Sequence, residues 1–342
     1  MSTTETRKVD HIRINLEENV QFPRLKTGLE KYRFIHQAIP EIDLDAVDTQ
    51  INLFGKTLTA PILISSMTGG AELASRLNYN LAEAAQEHGI AMGLGSQRAA
   101  IERDDLAYSY QVRKVAPSIL LFANLGAVQL NYRYGVSECQ RAVDMVNADA
   151  LILHFNVLQE AVQPEGDTNF AGLLKQIEKV IKSINVPVIA KEVGWGFSEQ
   201  NVRALSEVGV TAIDVAGAGG TSWSEVEYHR APTEFHARIA ASFADWGIPT
   251  AEAIQYAVKA APHAIVIASG GLRNGIDIAK CIALGASLGG IAGPFLKAAS
   301  QSVTEVSQLI VELKTQLRIA MLCSAAQNIE KLRHTNLIRS DE

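Results

Sequence analysis

A closed (β/α)8 barrel, the TIM barrel, is the fold class this sequence predicts, as one α/β domain over residues 1–342. Three observations carry that expectation. Eight short apolar runs recur along the chain, most of them about 25–37 residues apart, the size of one βα unit. Each run is continuously apolar rather than alternating, as parallel strands covered on both faces are. Amphipathic stretches of helical period, such as 71–88, 170–184 and 274–284, lie between them. Eight units of similar size favour a closed barrel over a doubly wound open sheet.

The strands are expected at 61–67, 90–96, 119–125, 150–156, 186–192, 212–217, 264–270 and 288–293. Residues 1–58 precede the first as an N-terminal arm that carries Arg7, Lys8, His11, Arg24 and Lys26. A cationic terminus is by itself usually solvated and frayed. The longest gap follows strand six, where 219–247 form an insertion. Loops after barrel strands stand at the catalytic face, so this insertion reads as a lid or substrate wall. After strand eight, the helix-forming stretch 295–332 is expected to cover the barrel bottom or an intersubunit surface.

Composition narrows the function classes. With 47% hydrophobic and 20% charged residues, 25 Gly and 10 Pro, the chain is ordinary globular protein. Its net charge of -6 provides no broad basic field, so neither nucleic acid nor an anionic membrane is an expected partner. Any anion it binds must be held by a local cluster. Cys139, Cys281 and Cys323 are far apart and outside any metal-ligand spacing, which suits reduced thiols in a cytoplasmic protein. The polar start of the chain is no signal peptide, and no apolar run reaches the roughly 18 residues of a membrane span.

Chemistry in such a barrel sits at the carboxyl ends of the strands. There the sequence places Ser65-Ser66-Met67-Thr68, Ser96-Gln97-Arg98, Asn124, His154 and Asn156, Gln159-Glu160, Lys191, Thr221, Gly271-Leu272-Arg273 and Ala292-Gly293. Glycine-rich turns after strands seven and eight, each opening a helix, make a backbone cradle for a phosphate. Lys191 ends an otherwise apolar strand, where a lysine is costly unless paired or given a task. Two tasks fit: Schiff-base catalysis, or a positive charge beside the pyrimidine edge of a flavin. Glu160, with no acidic neighbour in its loop, suits a Mg2+ ion that keeps waters and takes further ligands from a diphosphate. His154 and Asn156 alternate on one strand and point to the same side, where as donors they could meet phosphate oxygens. Arg7, Lys8 and His11, joined to Gln97 and Arg98, form a possible diphosphate clamp.

The combined string is more specific than its parts. Arg7-Lys8-x-x-His11, Met67-Thr68-Gly69-Gly70, Gly95-Ser96-Gln97-Arg98, His154-x-Asn156-x-x-Gln159-Glu160, Lys191-Glu192-Val193-Gly194 and Ser269-Gly270-Gly271-Leu272-Arg273 resemble the type 2 isopentenyl-diphosphate isomerases, from Arg7 to about Leu296. The resemblance implies an FMN enzyme that interconverts isopentenyl and dimethylallyl diphosphate, requires Mg2+, and uses NADPH to reduce its flavin. It implies that Ser65, Ser66, Met67, Thr68, Ser96, Asn124, Lys191, Thr221, Gly271, Leu272, Arg273, Ala292 and Gly293 hold FMN. Substrate would be held by Arg7, Lys8, His11, Ser96, Gln97, Arg98, His154, Asn156 and Gln159. Glu160 would bind the metal, and Gln159 and Lys191 would be the catalytic pair. A homo-oligomer, tetramer or octamer, is expected.

Three other readings compete. An FMN-dependent α-hydroxy-acid oxidoreductase on the same barrel normally wants a histidine base after strand seven, and Arg273 stands there without one. A Schiff-base aldolase would use Lys191 without a flavin. A phosphate-binding barrel without catalysis leaves so many polar strand ends unexplained.

Overall fold

The computed structural model describes residues 3–340. Eight parallel strands close into a barrel: β1 (Ile62–Ile64), β2 (Ala91–Gly93), β3 (Leu121–Gly126), β4 (Ala150–Phe155), β5 (Val188–Glu192), β6 (Ala212–Asp214), β7 (Ile265–Ser269) and β8 (Leu288–Ile291). Closure is made by β8 on β1, with Gly289 opposite Ile62 and Ile291 opposite Ile64. All eight expected runs are strands. Several of them end two or three residues earlier than the apolar run does, because residues such as 65–67 already belong to the loops at the barrel mouth.

Alternation along each strand sorts side chains between two cores. Leu63, Ala91, Phe122, Ile152, Ile189, Ala212, Ile267 and Leu288, one from each strand, pack in the barrel interior. Their neighbours, such as Ile62, Ile64, Leu151, Leu153 and Ala190, face the helical ring. A strand repeats every two residues. The positions two beyond that interior layer are therefore the next inward layer, and they read Ser65, Gly93, Asn124, His154, Lys191, Asp214, Ser269 and Gly290. Apolar filling stops there, and polar chemistry begins.

The lower end is closed by an antiparallel hairpin, Ile51–Leu53 with Lys56–Leu58. Leu53 and Leu58 join the interior core, and the Phe54 ring meets Phe122 edge to face at 5.9 Å. Residues 295–332, expected to cover the bottom or an intersubunit surface, do not close the bottom. They divide into Gly293–Gln301, Val303–Cys323 and Ile329–Arg333, the break coming at Ser302, whose hydroxyl caps the amide of Glu305 at 3.2 Å. Helix Val303–Cys323 packs between Gly275–Ala283 and Glu72–His88, completing the outer ring on the side of the barrel.

The N-terminal arm is not frayed. A helix, Thr3–Glu17, lies across the barrel mouth and buries Ile12 and Ile14. Ile14 packs with Val20 and Val226, the last from the insertion helix Trp223–Arg230. The insertion also holds a second helix, Glu234–Ala241, and hydrogen bonds from Phe22 to Gly220 and from Ser222 to Val20 tie it to the arm. At the other end of the chain, Leu337–Arg339 pairs antiparallel with Tyr32–Phe34. The three cysteines are free, with Cys139 and Cys281 buried. Among the described residues, no helix is long and apolar enough to cross a membrane.

Phe122→Ala should cost about 3–5 kcal/mol, because the site cannot collapse between the strand layer and the hairpin. Urea unfolding checks this, and a loss under about 1 kcal/mol would place the ring outside the core that closes the barrel.

Candidate active site

A cavity of about 720 Å3 opens between the barrel mouth, the N-terminal helix and the insertion. Its floor is the polar layer set by the strand period, including Ser65, Asn124, His154, Lys191 and Ser269. Lys191 is 6% exposed and Asp214 1%. Strand register puts the two opposite each other, and the ammonium lies 3.0 Å from the Asp214 carboxylate and 3.3 Å from Ser269 Oγ. Ser269 donates to the same carboxylate at 2.5 Å. The costly lysine of the sequence is thus both paired and exposed to the cavity on one side. Beside it, His154 is held neutral: burial first, then the charges of Lys191 and Lys8, bring it down to about 4. Its Nδ1 stands 2.8 Å from Asn124 Oδ1, a contact that orients the ring.

On one side of the floor, backbone groups dominate. Gly270 and Gly271 adopt φ of 101° and 78°, and a Cβ on Gly270 would stand 2.0 Å from the carbonyl oxygen of Gly217. Only glycine lets these two loops approach so closely. Gly293, at the start of helix Gly293–Gln301, has nothing within 4 Å of its missing Cβ and faces open space. Ser65 Oγ and Ser66 Oγ are buried without a partner at the same rim. Unpaired hydroxyls beside free helix-start amides are the donor set of a phosphate or ring-oxygen site.

A cationic part of the lining comes from the arm. Arg7, Lys8 and His11 face the cavity with Arg98. Arg98 pairs with Glu102 and Asp167, each at 2.8 Å. Burial, followed by the charge of Arg7, draws Lys8 down to about 7. His11 contacts Glu227 at 3.2 Å, and the same carboxylate oxygen accepts from Gln159 Nε2 at 2.9 Å. Burial alone would raise Glu227, but the bonds from His11 and Gln159 and the Arg230 charge hold it at about 2. Trp223 of the insertion meets His11 edge to face and closes this end with an aromatic wall.

Glu160, 6% exposed, accepts from Asn156 Nδ2 at 2.8 Å, Gln163 Nε2 at 2.6 Å and the Asp167 amide at 2.7 Å. Those two amides leave Asn156 Oδ1 and Gln163 Oε1 buried and unpartnered. A carboxylate with two orphaned neutral oxygens around it fits a hydrated Mg2+ better than a closed protein cage. Among the described residues, no group of three or more His, Cys, Asp or Glu stands together as a metal cage.

Gln97 is the correction. Its side chain is fully buried away from the cavity, donating to the carbonyl of Ala142 at 2.8 Å and accepting from the Asn124 amide at 2.9 Å. It pins β3 beneath the site and touches no ligand space. Every other residue of the sequence-derived set lines the cavity: Ser65, Ser66, Met67, Thr68, Ser96, Arg98, Asn124, His154, Asn156, Gln159, Glu160, Lys191, Thr221, Gly271, Leu272, Arg273, Ala292 and Gly293, with Arg7, Lys8 and His11. Missed were the partners behind them, Asp214, Glu227, Asp167 and Tyr110. Asp214 alone left a sequence signal, as an acid inside an apolar strand.

Fold and site together define a class: a (β/α)8 barrel enzyme whose mouth holds glycine-rich turns after its last two strands and a cluster of cationic side chains in the same cavity. The family model for FMN-dependent dehydrogenases matches residues 2–109 and 141–339. Relatives named isopentenyl-diphosphate delta-isomerase include one from Synechocystis sp., 55% identical over 97% of this chain and 95% of its own. Another, from Nostoc sp., is 52% identical over 98% of this chain and 96% of its own. The chain belongs to the FMN-dependent dehydrogenase family and, within it, groups with the isopentenyl-diphosphate delta-isomerases. A solved mandelate oxidase variant with (S)-mandelic acid has the same fold at a TM-score of 0.70 and 20% identity, over 98% of this chain and 95% of its own.

Asp214→Asn should lower the unfolding free energy by about 3–5 kcal/mol, because it leaves Lys191 buried without its counter-charge. Adding Lys191→Met should recover a large part of that loss in denaturant unfolding, whereas strictly additive losses would mean the two do not act as a pair.

Proposed function

We propose that this chain interconverts isopentenyl and dimethylallyl diphosphate, with FMN and Mg2+ bound in the cavity and NADPH as the reductant of the flavin. The observation that carries this reading is one cavity lined both by a glycine cradle and by the cations Arg7, Lys8 and Arg98. A phosphorylated cofactor and a diphosphate substrate need that pairing. The isomerase relatives at over 50% identity point the same way.

Ser65, Ser66, Met67, Thr68, Ser96, Asn124, Thr221, Gly271, Leu272, Arg273, Ala292 and Gly293 would hold FMN together with Lys191. Bound and reduced, FMN supplies an electron-rich face and an acid–base atom for moving a proton between carbons. Lys191, paired with Asp214, would favour the anionic reduced form. Arg7, Lys8 and Arg98 hold the diphosphate, and Glu160 with its amide neighbours holds the hydrated metal that shares it. Gln159 does not ionise near neutral pH; its Oε1 accepts from Asn156 at 3.2 Å and its Nε2 donates to Glu227, so it positions or relays a proton.

Isomerisation passes through positive charge on a tertiary carbon beside a diphosphate, which water would capture. The N-terminal helix and the insertion exclude that water. A cytoplasmic setting and a homo-oligomer, tetramer or octamer, complete the proposal. The hydroxy-acid reading gains nothing from the cavity, whose histidines are His11 and His154, neither from the end of β7.

Anaerobic incubation with FMN, NADPH, Mg2+ and isopentenyl diphosphate should yield dimethylallyl diphosphate. No product, or equal product without flavin, overturns the proposal, and flavin-dependent oxidation of a 2-hydroxy acid would favour the rival. Gln159→Asn should lower kcat by about 10²-fold or more while FMN affinity, read by flavin fluorescence, stays within about threefold. Unchanged turnover would remove Gln159 from the proton path.

A further inference from the structure

Tyr110 lies wholly outside the cavity, yet its hydroxyl is tied to two residues that line it. The ring is fully buried at the end of the 3-10 segment Asp104–Tyr110. Its hydroxyl donates to the backbone carbonyl of Ser96 at 2.6 Å and accepts from Lys8 Nζ at 2.7 Å. Lys8 donates to that same carbonyl at 2.7 Å, which closes a triangle. A phenol has one proton to give, and it is spent on Ser96, so the ammonium must be the donor to the phenol oxygen. Burial raises the Tyr110 pKa, which keeps that proton in place.

The surrounding chain is shaped around this contact. A Cβ on Gly69 would lie 1.9 Å from the Tyr110 ring, and one on Gly70 would lie 3.2 Å from both the phenol oxygen and Lys8 Nζ. Ser109 Oγ accepts from the Gly70 amide at 2.9 Å, locking the segment to the loop after β1. Lys8 Nζ also stands 5.4 Å from the Tyr110 ring centre. Two of the three ammonium hydrogens are thereby fixed, and the third is left for a ligand in the cavity.

We propose that Tyr110 is a positioning residue for diphosphate binding: through Lys8 and Ser96 it seats the N-terminal helix on the barrel and fixes one cation at the cavity wall. The inference rests on the isomerase reading for its substrate, and on the geometry alone for the seating of the helix. Lys8 faces Arg7 on its own helix, Arg98 and Glu102 on helix Arg98–Glu102, His154 on β4, and Tyr110. Burial and the arginines hold Lys8 near 7, with Glu102 opposing them. The phenol oxygen is an acceptor that stabilises the protonated amine, so its removal lowers the lysine further. A neutral lysine binds diphosphate weakly, and kcat/KM should therefore fall as pH rises through about 7 in the native chain and at lower pH without the hydroxyl.

The test compares the native chain, Tyr110→Phe, Lys8→Met and the double variant, all loaded with FMN. Tyr110→Phe should raise the KM for isopentenyl diphosphate about tenfold at pH 7, with kcat and FMN affinity within about twofold, and move the pH fall to lower pH. In the Lys8→Met background, the same change should alter KM by less than about twofold. Without substrate, Tyr110→Phe should speed amide hydrogen exchange in Thr3–Glu17 and leave β3 and β4 unchanged. An unaltered KM, an equal factor in both backgrounds, or unaltered exchange in the helix overturns the inference. Failure of the native chain to isomerise would instead sink the functional reading, and the exchange comparison would still decide whether Tyr110 seats the helix.

Discussion

The ion pair between Lys191 and Asp214 is the constraint on which the site depends. An ammonium moved into a protein interior loses several kcal/mol of hydration unless an opposite charge and hydrogen bonds replace it. Strand register supplies that replacement: Lys191 on β5 stands opposite Asp214 on β6, and Ser269 on β7 bonds both. A fixed positive charge can therefore stand at the centre of the barrel mouth before any ligand arrives. Its field, with burial, also keeps the adjacent His154 neutral. The floor thus sets an ion-paired lysine beside a buried, neutral imidazole.

The glycine-rich turns and the cationic cluster of the cavity are built by different physics. The cradle side uses backbone amides and glycines, whose geometry is set by the strands and whose positive φ excludes other residues. The wall side uses long cationic side chains on a helix that must first be docked. That docking uses little apolar surface, chiefly Ile12 and Ile14, and is reinforced by polar contacts from His11 to Glu227 and from Lys8 to Tyr110 and Ser96. Solved oxidases at about 20% identity share the barrel, so the barrel by itself says nothing of the reaction.

Most of this was legible in the residues. The eight strands announced themselves because parallel strands buried on both faces are continuously apolar and stop abruptly at a polar or glycine residue. The residues at those stops line the cavity, since the closed barrel sends every strand end to one face. Gln97 misled because a polar residue in a loop reads as available, whereas its side-chain amide is satisfied by the Ala142 carbonyl of a ring helix and the Asn124 amide of β3. The N-terminal helix was invisible because a helix that buries two isoleucines looks like a solvated arm by composition. Tyr110 and Glu227 act through contacts 102 and 216 residues distant in sequence, and no local pattern marks them.

One titration tests most directly whether the cavity has two separate anion ends. Inorganic diphosphate with Mg2+ is titrated calorimetrically into the chain with and without saturating FMN. One equivalent of each bound at the same time, with diphosphate affinity undiminished by FMN, is the result this account predicts. Mutual displacement of the two would mean a single anion site and would contradict it.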